Sequence, residues 1–385
     1  MARMLTIEAY GELQSLLTIL SVIAVLTGAI STVLVKYTAD FKAKDQLNKI
    51  YTLFLLFSKK TSTVAIIFFV IFVILSRYIA NFLNLTSVLP LIILGFAFLL
   101  GFPNSINSGI LRGLQKFKAL SIISIIATLI KLLFAILLVS LGFSINGAVG
   151  AVVLAALIGY LISFVPIKFL FSRQKDKIQA KEIFRYSFPV FFTLFFTTLL
   201  CSINVILVKH FFSAQTAGEF GALAMLGNII FLITAPIALV MFPMAADAHA
   251  NLNHPAKILK KAIFWIILIS LAIVSCYFFI PNFIIAVLIG SKFLVIGKYL
   301  GWFGLAMFLY SLVYLFSNYF LSVGKVKGTY LVGIGVVLQI LLMAIFHTNL
   351  WQIVWIMNTT MLGTLLLLIY YFLRIYYLCP KNQSQ

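Results

Sequence analysis

Residues 11–40 read GELQSLLTILSVIAVLTGAISTVLVKYTAD, and residues 218–247 read GEFGALAMLGNIIFLITAPIALVMFPMAAD. The two stretches align without a gap at a shift of 207 residues, and nine of their 30 positions are identical. Apolar identities are common in a chain of this composition, but the chain has only eight acidic residues. Even so, Glu12 pairs with Glu219 and Asp40 pairs with Asp247. This pairing indicates an internal repeat, and hence a chain built from two similar halves.

The composition predicts that lipid surrounds most of the chain. Hydrophobic residues make up 63% of the sequence and charged residues 9%, with a mean hydropathy of +1.17, whereas soluble chains carry about 25% charged residues. A membrane-spanning helix needs about 20 apolar residues. Runs of this kind number eleven, and they cover residues 12–36, 61–84, 86–108, 118–141, 145–171, 188–209, 219–244, 262–289, 296–321, 329–347 and 349–373.

The basic residues predict the orientation. Of the 28 Lys and Arg residues, 22 lie after the first, third, fifth, seventh, ninth and eleventh runs. Basic loops stay in the cytoplasm, so the C-terminus is expected inside and the N-terminus outside a bacterial inner membrane. The net charge of +20 is distributed over short loops, which indicates anionic phospholipids rather than nucleic acid as its partner.

The repeat predicts twelve helices, one more than the eleven runs. The run 188–209 precedes the second copy of the repeat, and its counterpart would lie before residue 1. We therefore expect an all-α polytopic membrane protein with two pseudo-symmetric lobes of five plus six helices. The predicted parts are residues 1–172, a cytoplasmic linker helix at 173–187 and residues 188–385. A truncated N-terminus or a misplaced start codon would explain the missing helix.

Two cations lie more than five residues inside an apolar run. Lys131 lies near the middle of run 118–141, where a lysine costs about 2.5–3.5 kcal/mol on insertion scales. It either lines a water-filled cavity and attracts an anionic substrate, or extends its ammonium to the headgroups. Arg77 lies nearer the end of its run. The same two roles apply there, and snorkelling is the simpler account.

Amides and helix breakers also occur inside the runs. Asn204 lies in the run before the second copy of the repeat and Asn228 lies within that copy, and each either bonds across helices or lines a cavity. Four breakers are candidate hinges, although static kinks would account for them equally well. These breakers are Gly101, Pro103, Pro236 and Pro243.

Signatures of enzymes and metal sites are absent from the sequence. It contains no GxxxxGK[ST], HExxH or GxSxG motif and no close pair of carboxylates. The three cysteines and four histidines are dispersed, which is poor spacing for a metal. We expect no catalytic residues, no metal and no cofactor.

Four short motifs resemble those of the polysaccharide flippases, which form part of the multidrug/oligosaccharidyl-lipid/polysaccharide exporter superfamily. Glu8–Leu13 (EAYGEL) matches the turn ahead of that family's second helix, and Leu111–Phe117 (LRGLQKF) matches its loop after the fourth helix. Gly142–Ala148 (GFSINGA) matches the entry to its sixth helix, and Lys181–Pro189 (KEIFRYSFP) matches the start of its seventh.

The resemblance implies two lobes around a central cavity that opens alternately to each side of the membrane. It also implies a substrate, an undecaprenyl-pyrophosphate-linked oligosaccharide that is flipped from the inner to the outer leaflet, as in lipopolysaccharide O-antigen synthesis. Polysaccharide assembly proteins would be further partners. The alternatives are a flippase for peptidoglycan or teichoic precursors, a cation-coupled drug exporter and a membrane glycan polymerase. A cavity with positive but no negative groups fits a pyrophosphate better than a cationic drug.

Overall fold

The structure, a computed structural model, describes residues 2–177, 180–250, 255–325 and 327–375, without the side chains of residues 180–190, Asp247, His249 and Ala250. Within these residues the regular structure is entirely helical. The chain divides into two compact units, Arg3–Leu194 and Phe195–Gln385. The α-helices of the described residues are α1 Ile7–Ala43, α2 Leu47–Phe82, α3 Leu89–Gly113, α4 Phe117–Leu138, α5 Ser144–Ser163, α6 Ala180–Phe211, α7 Ala214–Ala250, α8 Pro255–Phe279, α9 Pro281–Leu288, α10 Gly297–Ser322, α11 Lys327–Ile345 and α12 Leu350–Leu373.

The surface of these helices is strongly apolar. Ile74, Leu133 and Leu232 are among many large aliphatic side chains that are exposed, whereas soluble monomers rarely expose large contiguous apolar patches. Ten segments of the described residues are long and apolar enough to cross a bilayer. The chain is therefore a multi-pass membrane protein.

The expected count of eleven spans is not confirmed by that tally. One of the ten segments, Phe117–Ser163, is 47 residues long and contains both α4 and α5. The two helices form a hairpin, because Gly147 lies against Leu138 while Gly159 lies against Ala127. The chain turns at Gly142, whose φ of 91° is easily adopted by glycine alone.

The internal repeat of the sequence is also a repeat of helix packing. Each end of α7 lies 207 residues after the corresponding end of α1, and both helices have 37 residues. At nearly the same shift α3, α4 and α5 correspond to α10, α11 and α12. The helix α2 corresponds to two helices, α8 and α9, which are separated at Pro281. In each unit the first and second helices of the repeat pack on the third, and the fifth packs on the third and fourth. The helix α6 stands outside this pairing.

The predicted linker at 173–187 differs in part from the structure. Residues 174–177 are not helical, and α6 begins at Ala180 and continues to Phe211 without a separate linker helix. Residues 178–179 and the side chains of 180–187 lie outside the described part of the chain, as do the side chains of the Lys181–Pro189 motif and that of Asp247.

In the first unit α1 and α3 approach each other closely along a glycine seam. A Cβ atom on Gly109 would lie 2.8 Å from Leu34 Cβ, and one on Gly113 would lie 2.5 Å from Thr38 Cβ. Small residues at a spacing of four allow helix backbones to come this close within a membrane. The glycine of the Leu111–Phe117 motif thus has a packing role.

Two lysines fix the turn that follows α3. Lys42 Nζ donates to the carbonyl of Leu114 at 2.9 Å, and Lys116 Nζ donates to the carbonyl of Pro166 at 2.7 Å. The Lys116 ammonium also lies 4.1 Å from the centre of the Phe169 ring. Burial lowers the pKa of Lys116 from its ordinary value, since a partly desolvated ammonium loses hydration. This motif therefore anchors the 3₁₀ segment Val165–Ser172 to the end of α3.

Candidate substrate-facing surface

A polar face runs along α4 and ends at Lys131. The side chains of Ser121, Ser124, Thr128 and Lys131 are all exposed. Spacings of three, four and three residues place them on one side of the helix. Another side carries exposed aliphatic residues, among them Leu129, and a third packs on α5 through Ala127. The helix α4 thus has a polar side and an apolar side.

The position of Lys131 among hydroxyl groups favours a polar surrounding for its ammonium. Acyl chains would solvate neither the cation nor the three neighbouring hydroxyls, and a lysine in that setting costs about 2.5–3.5 kcal/mol. Water or an anionic ligand would satisfy all four side chains at once. The cavity role of Lys131 remains a prediction, and the shared polar face supports it.

Arg77 lies in the last two turns of α2 and is exposed, next to the exposed ring of Tyr78. Arginine and tyrosine side by side near a helix end are typical of the membrane–water interface. This setting favours the snorkelling interpretation of Arg77 over a substrate contact.

Asn204 is fully buried in α6. Its Nδ2 donates to Met357 Sδ of α12 at 3.1 Å, and its Oδ1 accepts from the backbone N–H of Val205 at 2.7 Å. Both polar atoms of the amide are therefore engaged inside the second unit. For Asn204 to line a substrate cavity, these two hydrogen bonds would have to break. A role in packing α6 against α12 is compatible with the structure as it stands.

Asn228 has the opposite setting. It is exposed on α7, and its Oδ1 accepts from Cys201 Sγ of α6 at 3.7 Å. A thiol is a weak donor, so the amide keeps most of its capacity for a ligand. Of the two amides singled out in the sequence, Asn228 is the one whose exposure is compatible with a substrate contact.

The candidate hinges lie inside continuous helices. Pro103 lies within α3, and Pro236 and Pro243 lie within α7, and both helices run through without interruption. At Gly101 the nearest neighbour of a hypothetical Cβ is Thr27 Cγ2, at 4.0 Å. Each proline still removes a helical hydrogen bond, and the hinge role of these four residues remains a prediction.

A buried polar connection between three helices of the second unit is a further feature of the structure. Gln339 Nε2 of α11 donates to the carbonyl of Leu200 in α6, and Thr360 Oγ1 of α12 donates to Gln339 Oε1, each at 3.2 Å. The sequence does not identify Thr360 as the partner of Gln339. A threonine can always bond to its own helix, which hides its second role from sequence inspection.

Replacing Thr360 with valine is expected to destabilise the second unit by about 1 kcal/mol, because it removes the hydroxyl that satisfies the buried Gln339 carbonyl oxygen. The adjacent Thr359 is exposed and bonds only to carbonyls of its own helix. Thr359→Val is therefore the matched control. The measurement is denaturant unfolding in detergent micelles, and equal midpoints for the two variants would contradict the assigned role.

Two buried charged residues were not recognised as buried from the sequence. Glu12 is 2% exposed, and its carboxylate accepts from the Thr86 N–H and hydroxyl, both at 3.2 Å. It thereby ties α1 to the loop before α3. Lys209, near the end of α6, is also 2% exposed. Among the described residues no group of three His, Cys, Asp or Glu side chains could hold a metal ion.

Comparison with known proteins gives one family and one distant relative. Residues 1–249 match the family described as polysaccharide biosynthesis protein. An uncharacterised membrane protein of Methanocaldococcus jannaschii is 25% identical over 299 residues, which cover 72% of this chain and 68% of that protein.

Solved structures share the fold at low sequence identity. A multidrug resistance transporter of the MATE family, in an inward-facing conformation, has a TM-score of 0.79 at 14% identity, covering 98% of this chain and 92% of that one. The lipid II flippase MurJ has a TM-score of 0.75 at 15% identity, with coverages of 96% and 82%. The first of these proteins is a transporter and the second is a flippase. The chain belongs to the polysaccharide biosynthesis protein family, and it has the fold of the MOP-superfamily transporters.

Proposed function

We propose that the protein flips an undecaprenyl-pyrophosphate-linked oligosaccharide from the inner to the outer leaflet by alternating access. Family membership supports a role in polysaccharide synthesis, and the shared fold supports transport. The single observation that carries the choice of substrate is the exposed polar face of α4, with Lys131 at its end.

The chemistry of that face matches a charged glycolipid headgroup. An ammonium at this depth attracts a pyrophosphate more strongly than in bulk water, since the surrounding hydrocarbon lowers the effective dielectric constant. The hydroxyls of Ser121, Ser124 and Thr128 both donate and accept hydrogen bonds, so they can contact sugar hydroxyls next to the phosphates. A polar face of this kind passes a headgroup without binding it tightly at one point.

The distribution of acidic residues argues against a cationic cargo. The acidic side chains that the structure describes lie in loops or in the first two or last turns of helices, as for Glu8, Asp40 and Glu219. The one buried carboxylate among them, Glu12, is held by Thr86. An exporter of cationic drugs would need a negative charge along its pathway, and these helices offer none at mid-span.

The test compares cells that lack the gene with complemented cells. We expect the lipid-linked oligosaccharide to accumulate in the deletion strain, protected in spheroplasts from a membrane-impermeant glycosidase, and to fall again on complementation. An oligosaccharide that accumulates but is accessible from outside would place the block after flipping and exclude the proposal. Lack of accumulation despite an active glycan pathway would exclude it as well.

A further inference from the structure

An open groove lies between α7 and α8 of the second unit. Its volume is about 400 Å³, and its walls include Pro236, Val240 and Met244 from α7 and Ala262 and Trp265 from α8. Val240, Met244 and Trp265 are 62%, 51% and 46% exposed, so the groove opens to the surroundings of the protein. Among the residues that the structure describes, Lys261 is the one charged residue of its lining.

In the first unit the position that corresponds to Lys261 contacts another part of the chain. The buried residues Leu259, Ala262 and Ile266 of α8 follow Ile50, Leu53 and Phe57 of α2 by 209 residues. On that register Lys261 corresponds to Thr52. Thr52 Oγ1 accepts from the Asp176 N–H at 2.8 Å.

In the second unit the equivalent position is Lys261, which lines the groove. No part of the chain that the structure describes fills the groove, and Lys261 replaces the uncharged Thr52. The replacement of a hydrogen-bonded hydroxyl by an exposed ammonium favours an anionic occupant over a lost packing contact.

Charge and shape together define that occupant. Lys257 and Lys260 are exposed beside Lys261 in the first two turns of α8, at the end of the helix that the basic residues predict to be cytoplasmic. A cluster of lysines next to a membrane-embedded apolar surface attracts the phosphates of anionic lipids, by about 1 kcal/mol for each cation. The remaining walls match a hydrocarbon chain.

We propose that the α7–α8 groove binds a phospholipid with an anionic headgroup, with an acyl chain along Val240 and Trp265 and the phosphate at Lys261. This site is distinct from the polar face of α4 and does not depend on the transported substrate.

The test uses the purified full-length protein in phosphatidylcholine vesicles that contain a photoactivatable phosphatidylglycerol. We expect labelling of α7 and α8 peptides, reduced about fivefold in Lys261→Gln because one cation near a membrane contributes about 1 kcal/mol, and reduced further in Lys261→Glu, which reverses the charge. Val240→Trp, which fills the groove, should reduce labelling as strongly. Lys59→Glu changes an exposed lysine of α2 and should leave labelling unchanged.

Monodisperse elution of each variant confirms folding, and Lys261→Gln serves as a milder substitute if the charge reversal fails to fold. Equal labelling of wild type and Lys261→Glu would overturn the proposal. So would equally efficient labelling by a phosphatidylcholine probe, which would mean nonspecific contact with bulk lipid. If labelling appears only after residues 376–385 are removed, those residues and not a lipid occupy the groove in the intact chain, which would also overturn the proposal. Because no outcome involves transport, failure here leaves the flippase proposal untouched.

Discussion

Replacing Lys131 with alanine is expected to reduce export of the surface glycan about tenfold or more, since one charge-assisted contact to a phosphate contributes about 1.5–3 kcal/mol. The ammonium lies at mid-span on the exposed polar face of α4. Its removal leaves three hydroxyls but no positive charge to offset the pyrophosphate. The measurement is surface glycan per molecule of protein in the membrane, by immunoblotting of both.

Three variants separate the charge from other effects of the substitution. Lys131→Arg keeps the positive charge and should retain most export. Leu129→Ala shortens an exposed side chain on the apolar side of the same helix and should have little effect. Thr128→Val, which removes one hydroxyl and keeps the charge, should give an intermediate loss. If Lys131→Ala exports at the wild-type level with normal protein abundance, Lys131 only snorkels to the headgroups.

The internal repeat made much of the fold predictable from the sequence. The alignment of residues 11–40 with 218–247 corresponds to two helices whose bounds differ by the same 207 residues. The packing partners also repeat in the two units. The register of α2 and α8 could not be read in this way, since it shifts to 209 across the connection before Pro255. Only the burial pattern shows that shift.

The candidate site was less predictable, because hydropathy indicates how deep a residue lies in the membrane but not the direction in which its side chain points. Asn204 and Asn228 looked alike in the sequence, yet one is fully buried against α12 and the other is exposed. The polar face of α4 was present in the sequence as a spacing of three, four and three residues. It was missed because Lys131 was considered without its hydroxyl neighbours, which are individually common in membrane helices.

Gly113→Ala is expected to destabilise the first unit more than the same change at Gly95, Gly109 or Gly147, because its added methyl group meets the closest neighbour. The new Cβ would lie 2.5 Å from Thr38 Cβ and 2.8 Å from the Val35 carbonyl oxygen, so α1 and α3 would have to separate. Overpacking of this kind costs about 1–3 kcal/mol, and here the backbone on one side cannot rotate away. We expect a lower yield of folded protein and a lower midpoint of thermal unfolding, measured by size-exclusion chromatography after heating in detergent.

Gly28→Ala is the matched control, because nothing lies within 4 Å of its hypothetical Cβ. Alanine is the better helix former by about 1 kcal/mol, so this variant should be as stable as the wild type or more stable. Adding Thr38→Gly to Gly113→Ala removes the nearer clash and should restore part of the lost stability, while the Val35 carbonyl contact remains. Equal stability of Gly28→Ala and Gly113→Ala would show that α1 and α3 are not held at this distance in the membrane.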